Sequence, residues 1–408
     1  MSANSNSGLG RRLGVATATM GAAALVTVSG VAAASSSAAT GEQAATRAGS
    51  CATNYVNPSY VAKYGAKQQT IVGAGEVTEP EFSLDGRKNK RLAYVLKATD
   101  TTAGALPGVK NVFVATRIGE IKNDGGPWQR GGTTLISAGQ GGPANGDSWH
   151  PSLSGFTGKG DAAKGPSKMA FLSKATNLPG GNPTGVSAYV ANAGGGGIKR
   201  LNVPGTATGV GISGDSKVFY VTTDSGIYVV KGGKAKKLAS GSGFNTPTTT
   251  LNGAQAAYGQ NGSIFTITAK GKRKKVAVGS DPQADAGFPG GGRQQGLVRA
   301  VSFDRGGTAY KLGIIASPSA KGLKALGRTS SPTTINGGGS AVAFGNGTNA
   351  CLIVQVLDSG KTGGYDVPQG QCPDGRGDVT DVGVSTRYNY LAFSCSGGGL
   401  HLYHVGGK

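Results

Sequence analysis

The segments FSLDGRKNKRLAYVL (residues 82–96), ISGDSKVFYV (residues 212–221) and VSFDRGGTAYKL (residues 301–312) are three copies of one phrase. Each copy begins with an apolar residue and a small polar residue, continues through a turn, and ends in a hydrophobic strand. Such a hairpin cannot bury its own faces, so copies of it must stack on one another. The phrase therefore predicts a repeat fold built from short β-strands.

The small polar residue of the phrase recurs as an anchor at seven places. These anchors are Ser83, Ser154, Ser213, Asn252, Ser302, Asn336 and Ser385. The residue before every anchor is large and apolar, as expected of an interior column. Turns rich in Gly, Asn, Asp and Ser separate the apolar segments, and 74 of the 408 residues are Gly. This pattern predicts an all-β chain.

Further strand-like segments follow each anchor, which makes four antiparallel strands per unit. Four-stranded units repeated radially form a β-propeller, so seven units predict seven blades, with six and eight as the limits. The last unit, from Val379 to Val405, contains three strands, while KQQTIV (Lys67–Val72) resembles a fourth strand without a unit of its own. We expect this N-terminal segment to supply the outer strand of the last blade, because such closure removes open sheet edges.

Three stretches carry a family resemblance. They are FSLDGRKNKRLAYV from Phe82, PSLSGFTGKGDAAKGPSKMAFLSKATNL from Pro151, and ISGDSKVFYVTTDSGIYVV from Ile212. These stretches resemble the repeats of TolB-type, WD-repeat-like β-propellers, and the resemblance covers residues 76–405. It implies a repeat fold and exported or periplasmic members, but no single activity, because propellers host many.

Residues 1–34 have the pattern of a cleaved export signal. Arg11 and Arg12 precede an apolar stretch, and Ala32 to Ala34 offer small residues for cleavage. The adjacent arginines fit a twin-arginine signal as well as the general secretory route. Residues 35–50 are rich in Ala, Ser, Thr and Gly and predict a disordered linker. Residues 51–408 are expected to form one propeller domain, secreted and monomeric, with no transmembrane anchor.

The chain carries 41 Lys and Arg against 20 Asp and Glu. Removing the export signal takes away Arg11 and Arg12 and no acid, which leaves 39 cations against 20 acids. Such an excess attracts nucleic acid, anionic wall polymers or acidic polysaccharide, and it also maintains solubility. The run KGKRKK (residues 270–275) has no aromatic residue beside it and is interpreted as a solvated turn, because binders of nucleic acid usually add stacking residues.

The four cysteines indicate two disulfides in an oxidising compartment, with three possible connectivities. They are Cys51, Cys351, Cys372 and Cys395, and no pair has the close spacing of a structural zinc site. We favour Cys351–Cys372 as a bridge within the sixth blade and Cys51–Cys395 as a bridge across the closing blade.

One set of positions predicts a site. Four residues before the anchors, at the start of the innermost strands, stand Glu79, His150, Gly209, Thr248, Val298, Pro332 and Asp381. Blades 7, 1 and 2 are neighbours in a closed ring, so Asp381, Glu79 and His150 are expected to meet at one mouth of the channel. Two carboxylates and an imidazole could hold a divalent cation or share protons. They could equally be hydrogen-bonded to neighbouring backbone at the start of their strands. Arg299 is expected to make the opposite wall positive.

The remaining aromatic and histidine residues allow more than one role. Trp149, beside His150, and Trp128 are either ligand-stacking or packing residues. His401 and His404 are three apart on a predicted strand and point to opposite faces, so they cannot share one metal.

The sequence contains no GxSxG elbow, HExxH pair or phosphate-binding loop. We therefore expect a secreted binding or scaffold protein for an anionic partner, a protein or a polymer, without catalysis, cofactor or metal. One alternative is an extracellular hydrolase or lyase that uses Glu79, His150 and Asp381 at the channel mouth, and another is a structural component of the cell surface.

Overall fold

Short runs of apolar, β-branched and aromatic residues become strands along the whole described part of the chain. The structure, a computed structural model, describes residues 67–83, 91–101, 104–117, 128, 130–155, 167–181, 184–284, 296–314, 322–335, 341–355, 364–366, 370–385 and 390–404. The predicted signal (1–34), the predicted linker (35–50), Cys51 and the anchor Asn336 lie outside these residues. The described residues contain no helix, and therefore none that could cross a membrane.

The first four blades follow one another along the chain. Blade 1 consists of β2 (Glu76–Phe82), β3 (Arg91–Lys97), β4 (Lys110–Arg117) and β5 (Arg130–Leu135). A small ribbon of β6 (Ala138–Gly139) and β7 (Gly142–Pro143) leads to blade 2, which consists of β8 (Ser148–Leu153), β9 (Lys168–Ser173), β10 (Ser187–Asn192) and β11 (Lys199–Arg200). Blade 3 consists of β12 (Ala207–Ile212), β13 (Val218–Thr223), β14 (Gly226–Lys231) and β15 (Lys234–Ser240). Blade 4 consists of β16 (Phe244–Thr249), β17 (Gln255–Gln260), β18 (Ser263–Thr268) and β19 (Arg273–Val278).

The last three blades complete the ring. Blade 5 consists of β20 (Ser280–Ala284), β21 (Ala300–Asp304), β22 (Thr308–Gly313) and β23 (Gly322–Arg328). Blade 6 consists of β24 (Thr334–Ile335), β25 (Ala341–Asn346), β26 (Asn349–Gln355) and β27 (Gly364–Asp366), and β28 (Gly370–Gln371) also pairs with β26. Blade 7 consists of β29 (Val379–Val384), β30 (Tyr390–Cys395), β31 (Leu400–His404) and β1 (Lys67–Val72).

The innermost strands of successive blades contact one another in chain order, and β29 contacts β2. The seven antiparallel sheets therefore form a closed β-propeller, which confirms the predicted all-β fold and the count of seven blades.

Each blade is buried on both faces, as strand β13 illustrates. Phe219 and Val221 pack toward blade 2, while Val218 and Tyr220 pack toward blade 4. Successive side chains of a strand point to opposite faces of its sheet. A blade between two neighbours therefore needs apolar residues at both the odd and the even positions of its strands. This requirement explains why the middle strands are almost continuous apolar runs.

The anchor hydroxyl has a defined role in closing the first hairpin of a blade. It accepts a hydrogen bond from the backbone N–H that starts the second strand, so this donor is satisfied at the turn. The bonds join Ser154 to Lys168 (3.2 Å), Ser213 to Val218 (3.0 Å) and Ser385 to Tyr390 (3.0 Å). In blade 4 the residue in this role is Thr250, which accepts from Gln255 at 3.3 Å, and not the predicted Asn252 two residues later.

The anchor predicted for blade 5 lies on the wrong strand. Ser302 belongs to β21, the second strand of the blade, and the innermost strand is β20. The phrase around Ser302 forms the hairpin between the second and third strands, where Gly306 and Gly307 have positive φ angles of 61° and 75°. Both kinds of hairpin join antiparallel strands by a tight turn, so the same pattern of residues suits either.

The ring closes through strand β1. It pairs antiparallel with β31 and forms the outer edge of blade 7. The side chain of Gln68 donates to the carbonyl of Gln371 (2.8 Å) and accepts from its N–H (3.0 Å), which ties β1 to blade 6 as well. Arg376 donates to the carbonyl oxygen of Gly73 at 3.0 Å. These bonds hold both ends of β1 against the last two blades.

The disulfide pairings expected from the sequence are wrong. Cys372 is bonded to Cys395, with the two Cα atoms 5.9 Å apart, so both Cys351–Cys372 and Cys51–Cys395 are excluded. Cys351 is also disulfide-bonded. The physical reason is the alternation of faces in blade 6: Cys351 packs toward blade 5, whereas Cys372 packs toward blade 7 beside Cys395. The bridge therefore joins two blades.

The double variant Cys372→Ala, Cys395→Ala is expected to lose about 3 kcal/mol of unfolding free energy, because the bridge closes a separation of 23 residues. Urea unfolding of the wild type and the variant measures the difference. Peptide mapping without reduction provides the independent check, and a peptide that joins Cys351 to Cys372 would contradict the assignment.

Candidate functional site

The innermost strands share a bulge that begins at an ionisable or polar residue followed by proline. In blades 1, 2, 4 and 5 one extra residue separates two register positions, and the dipeptides are Glu79-Pro80, His150-Pro151, Thr246-Pro247 and Asp281-Pro282. Proline has no N–H to give to the ladder and is accommodated at such a bulge. Glu79, His150 and Asp281 adopt positive φ angles of 54°, 51° and 48°. The bulge therefore sets the direction of these side chains.

Three of the predicted residues form a chain of hydrogen bonds from blade to blade. Oδ2 of Asp381 in blade 7 accepts from the backbone N–H of Glu79 in blade 1 at 3.1 Å. Oε2 of Glu79 accepts from the backbone N–H of His150 in blade 2 at 2.6 Å and lies 3.1 Å from its Nδ1. The structure thus brings together Asp381, Glu79 and His150. Each carboxylate binds backbone of the next blade.

A second tier of bonds lies two residues further along the strands. Side-chain oxygens of Glu81, Ser152 and Thr248 accept backbone N–H bonds from the next blade; the donors are Leu153 (3.1 Å), Ile212 (3.3 Å) and Ala284 (2.9 Å) respectively. Blades 3 and 7 have Gly211 and Gly383 here. A Cβ on either would collide with a proline carbonyl oxygen of the next blade, Pro247 or Pro80. Neighbouring blades are therefore joined either through an accepting side chain or through direct backbone contact.

Asp281 is a member of this mouth that the sequence interpretation missed. It stands at the bulge of β20, and its charge helps to raise the pKa of the His150 imidazole. The sequence pattern assigns the anchor of blade 5 to Ser302, so it predicts Val298, four positions before that anchor, as the mouth residue of this blade instead of Asp281. The signal that could have found it is the dipeptide itself, since Asp281-Pro282 matches Glu79-Pro80 and His150-Pro151.

Burial and the charges of neighbouring residues move the pKa values of Glu81, Asp381 and His150 upward. Burial raises the pKa of Glu81 to about 8, against the opposing bond from Leu153, and the charge of Glu79 adds to the rise. Burial likewise raises the pKa of Asp381 to about 7, although the N–H of Glu79 opposes it. For His150, burial lowers the pKa, but the hydrogen bond and charge of Glu79 with the charges of Asp281 and Asp381 outweigh it, and the net shift is upward.

The two remaining predicted site residues lie elsewhere. Arg299 immediately precedes β21 and accepts the N–H of Ile314 through its carbonyl at 2.7 Å. It precedes the second strand of blade 5 and is not at the bulge of the innermost strand, so its predicted position on the innermost strand is wrong, for the same reason as the displaced anchor. Trp149 is half-buried, packs against core clusters on both sides of blade 2, and has the Nζ of Lys174 at 5.7 Å from its ring centroid.

Trp128 and the two C-terminal histidines are packing residues. Trp128 is buried between blades 7 and 1 and meets the rings of Phe82 and Tyr390 edge-on. His401 lies against Phe393 and His404 against Tyr390, on opposite faces of β31. The predicted opposition of the two histidines is confirmed.

No group of three or more His, Cys, Asp or Glu side chains among the described residues is arranged to hold a metal ion. The oxygens of Asp381, Glu79 and Glu81 point along the ring to successive blades, whereas a metal site requires ligands that converge on one point. The arrangement can accept backbone hydrogen bonds and exchange protons near neutral pH.

A second kind of surface occurs on the outer edges of blades 3 and 4. From residue 225 to residue 280 the chain contains nine Lys and Arg and no Asp or Glu. The nine cations are Lys231, Lys234, Lys236, Lys237, Lys270, Lys272, Arg273, Lys274 and Lys275, and all are exposed. The predicted solvated turn KGKRKK is therefore partly a hairpin turn and partly the outer strand β19. We call this surface the basic sector.

The comparisons with known proteins do not add a family. No protein-family model matches the chain, and no curated protein matches it significantly. Function must therefore be argued from the channel mouth and the basic sector.

The free energy of unfolding is expected to fall as pH rises from 5 to 8.5. Glu81 and Asp381 have raised pKa values in the folded chain, so their protonated forms stabilise it below their ordinary pKa values, and this stabilisation is lost progressively up to about pH 8. The raised pKa of His150 acts in the same direction. Chemical unfolding across this pH range measures the slope.

The variant Glu81→Gln keeps an accepting oxygen for Leu153 but removes the ionisation. We expect it to flatten the pH dependence and to be more stable than the wild type at pH 8.5 by on the order of 3 kcal/mol. Glu76→Gln is the matched control, because Glu76 is exposed and pairs with Lys97 and Lys110. Equal pH slopes in the wild type and Glu81→Gln would contradict the assignment.

Proposed function

We propose that this chain is an exported binding protein of the TolB-type, WD-repeat-like propeller class, which captures an anionic partner without catalysis. The propeller fold supports a binding or scaffold role, because its rigid disc presents broad edges and faces. The disulfide between blades 6 and 7 and the signal pattern in residues 1–34 support export to an oxidising compartment.

The observation that carries the proposal is the segregation of charge. The carboxylates of blades 7, 1 and 5 gather at the channel mouth, where Asp381, Glu79 and Glu81 accept backbone hydrogen bonds. The cations of blades 3 and 4 stand on the outer edge with no acid between residues 225 and 280. Because those acids are engaged between blades, the outer cations are free to attract an external polyanion.

Retention on a panel of immobilised polyanions tests the proposal. We expect the exported protein to bind polyphosphate, sulfated polysaccharide and polyglutamate at low ionic strength, and log K to fall linearly with log salt as counterions are released. A neutral polysaccharide is the control matrix. Failure to bind every polyanion, or binding that is indifferent to salt, would overturn the proposal.

The alternative function is an extracellular hydrolase or lyase at the channel mouth. One observation favours it: Glu79 and His150 form a carboxylate–imidazole pair whose side chains are 29% and 30% exposed, as a general base and its orienting group require. The proposed binding function predicts that His150→Ala retains polyanion binding. Turnover of a cell-envelope polymer that is present in the wild type and lost in His150→Ala would establish the alternative.

A further inference from the structure

We propose that the groove between the outer edges of blades 3 and 4 binds a linear phosphodiester polymer without bases, of the polyol-phosphate kind. The inference rests on the proposed function and names its surface and the chemistry of its partner. Four cations line the groove, two from each blade: Lys234, Lys236, Arg273 and Lys275.

Strand register places these four side chains on facing sides of the groove. Lys236 is opposite Val229, whose side chain packs toward blade 4, so Lys236 and Lys234 lie on that face of blade 3. Arg273 is opposite Ile267 and Lys275 is opposite Phe265. Ile267 and Phe265 both pack into the cluster shared with blade 3, so Arg273 and Lys275 lie on the face of blade 4 toward it.

The turn before β19 meets the later half of β15, so the two lysines of blade 3 and the two cations of blade 4 lie on either side of this contact. A Cβ at Gly271, in the turn before β19, would lie 3.5 Å from the carbonyl oxygen of Leu238 in β15. Leu238 packs against the same core cluster as Phe265. Lys270 and Lys272 flank that glycine, and thus extend the charge of the groove across the turn.

No acid among the described residues forms an ion pair with these cations, and one of the cations is held in place. Among the described residues, the ion pairs of the protein involve Glu76 and Glu79 and none lies in the basic sector. The guanidinium of Arg273 lies 3.6 Å from the ring centroid of Phe265 and donates to Oε1 of Gln260. This packing fixes the floor of the groove, while the lysine ammonium groups remain available to phosphates.

Spacing favours a phosphodiester chain. Lys234 and Lys236 are two residues apart on one strand, which separates them by about 7 Å. In a polyol phosphate, six backbone bonds separate one phosphorus atom from the next, as many as in the backbone of two peptide residues. Such a chain therefore also extends about 7 Å per phosphate. Successive phosphates can thus meet successive lysines along one edge.

The aromatic residues of the groove disfavour nucleic acid. Single-stranded nucleic acid shares the six-bond phosphate repeat, but its bases need exposed aromatic faces on which to stack. Tyr258 is buried, and the guanidinium of Arg273 covers Phe265. The groove therefore offers charge without a stacking platform, which suits a polymer that has no rings.

The triple variant Lys234→Ala, Lys236→Ala, Lys275→Ala tests the groove with labelled poly(glycerol phosphate) as the probe. Arg273 is left in place because its removal would disturb the packing of Phe265. We expect binding at low ionic strength to weaken about tenfold to a hundredfold. The negative slope of log K against log salt is expected to become shallower by about 2. Fluorescence anisotropy measures both, and an unchanged thermal melting curve shows that the variant is folded.

The matched control is Lys168→Ala, Lys199→Ala, Lys217→Ala, which removes three exposed lysines outside the groove. It should retain near wild-type affinity; an equal loss in both variants would overturn the inference and leave the proposed function standing. Tighter binding of single-stranded DNA than of poly(glycerol phosphate) would overturn the partner chemistry. Binding of other polyanions without any binding of the probe would likewise overturn this inference alone, whereas no binding of any polyanion would overturn the proposed function too.

Discussion

The ring depends on how backbone N–H groups of the innermost strands are satisfied across blade junctions. A bulge before proline takes residues such as Glu79 and His150 out of the ladder of their own blade, so their N–H groups need an acceptor elsewhere. The acceptor is a side chain of the preceding blade, which makes every such bond a link between blades. Two residues further along the strands, Gly211 and Gly383 stand where other blades have an accepting side chain, and there the backbones approach directly.

This constraint also decides where charge can lie. Carboxylates that accept N–H bonds across blade junctions lie on the innermost strands, and burial there moves the pKa values of Asp381 and Glu81 upward. The outer strands have no further blade to pair with, and lysines on a free edge also oppose pairing between molecules. The acids of the mouth thus lie near the centre of the ring, whereas the cations of the basic sector lie on its outer edge, where a large polyanion can reach them.

Much of the fold could be predicted because the hairpin phrase recurs along the sequence, and the number of its copies gives the number of blades. The same reasoning brought Asp381, Glu79 and His150 together, since adjacent blades must place equivalent residues side by side. It missed Asp281 because the first and second hairpins of a blade use the same turn chemistry. The disulfide pairing failed for a different reason: the pattern does not reveal which face of blade 6 Cys351 and Cys372 occupy.

The pairing of β1 with β31 has a consequence for how the molecule is presented. Lys67 lies opposite His404, so the chain enters and leaves the disc at one corner of blade 7. In a ring of seven, the junction between blades 3 and 4 is diametrically opposite blade 7. A tether or fusion joined directly at Lys67 or at His404 would therefore leave one side of the disc and hold the basic groove outward on the other.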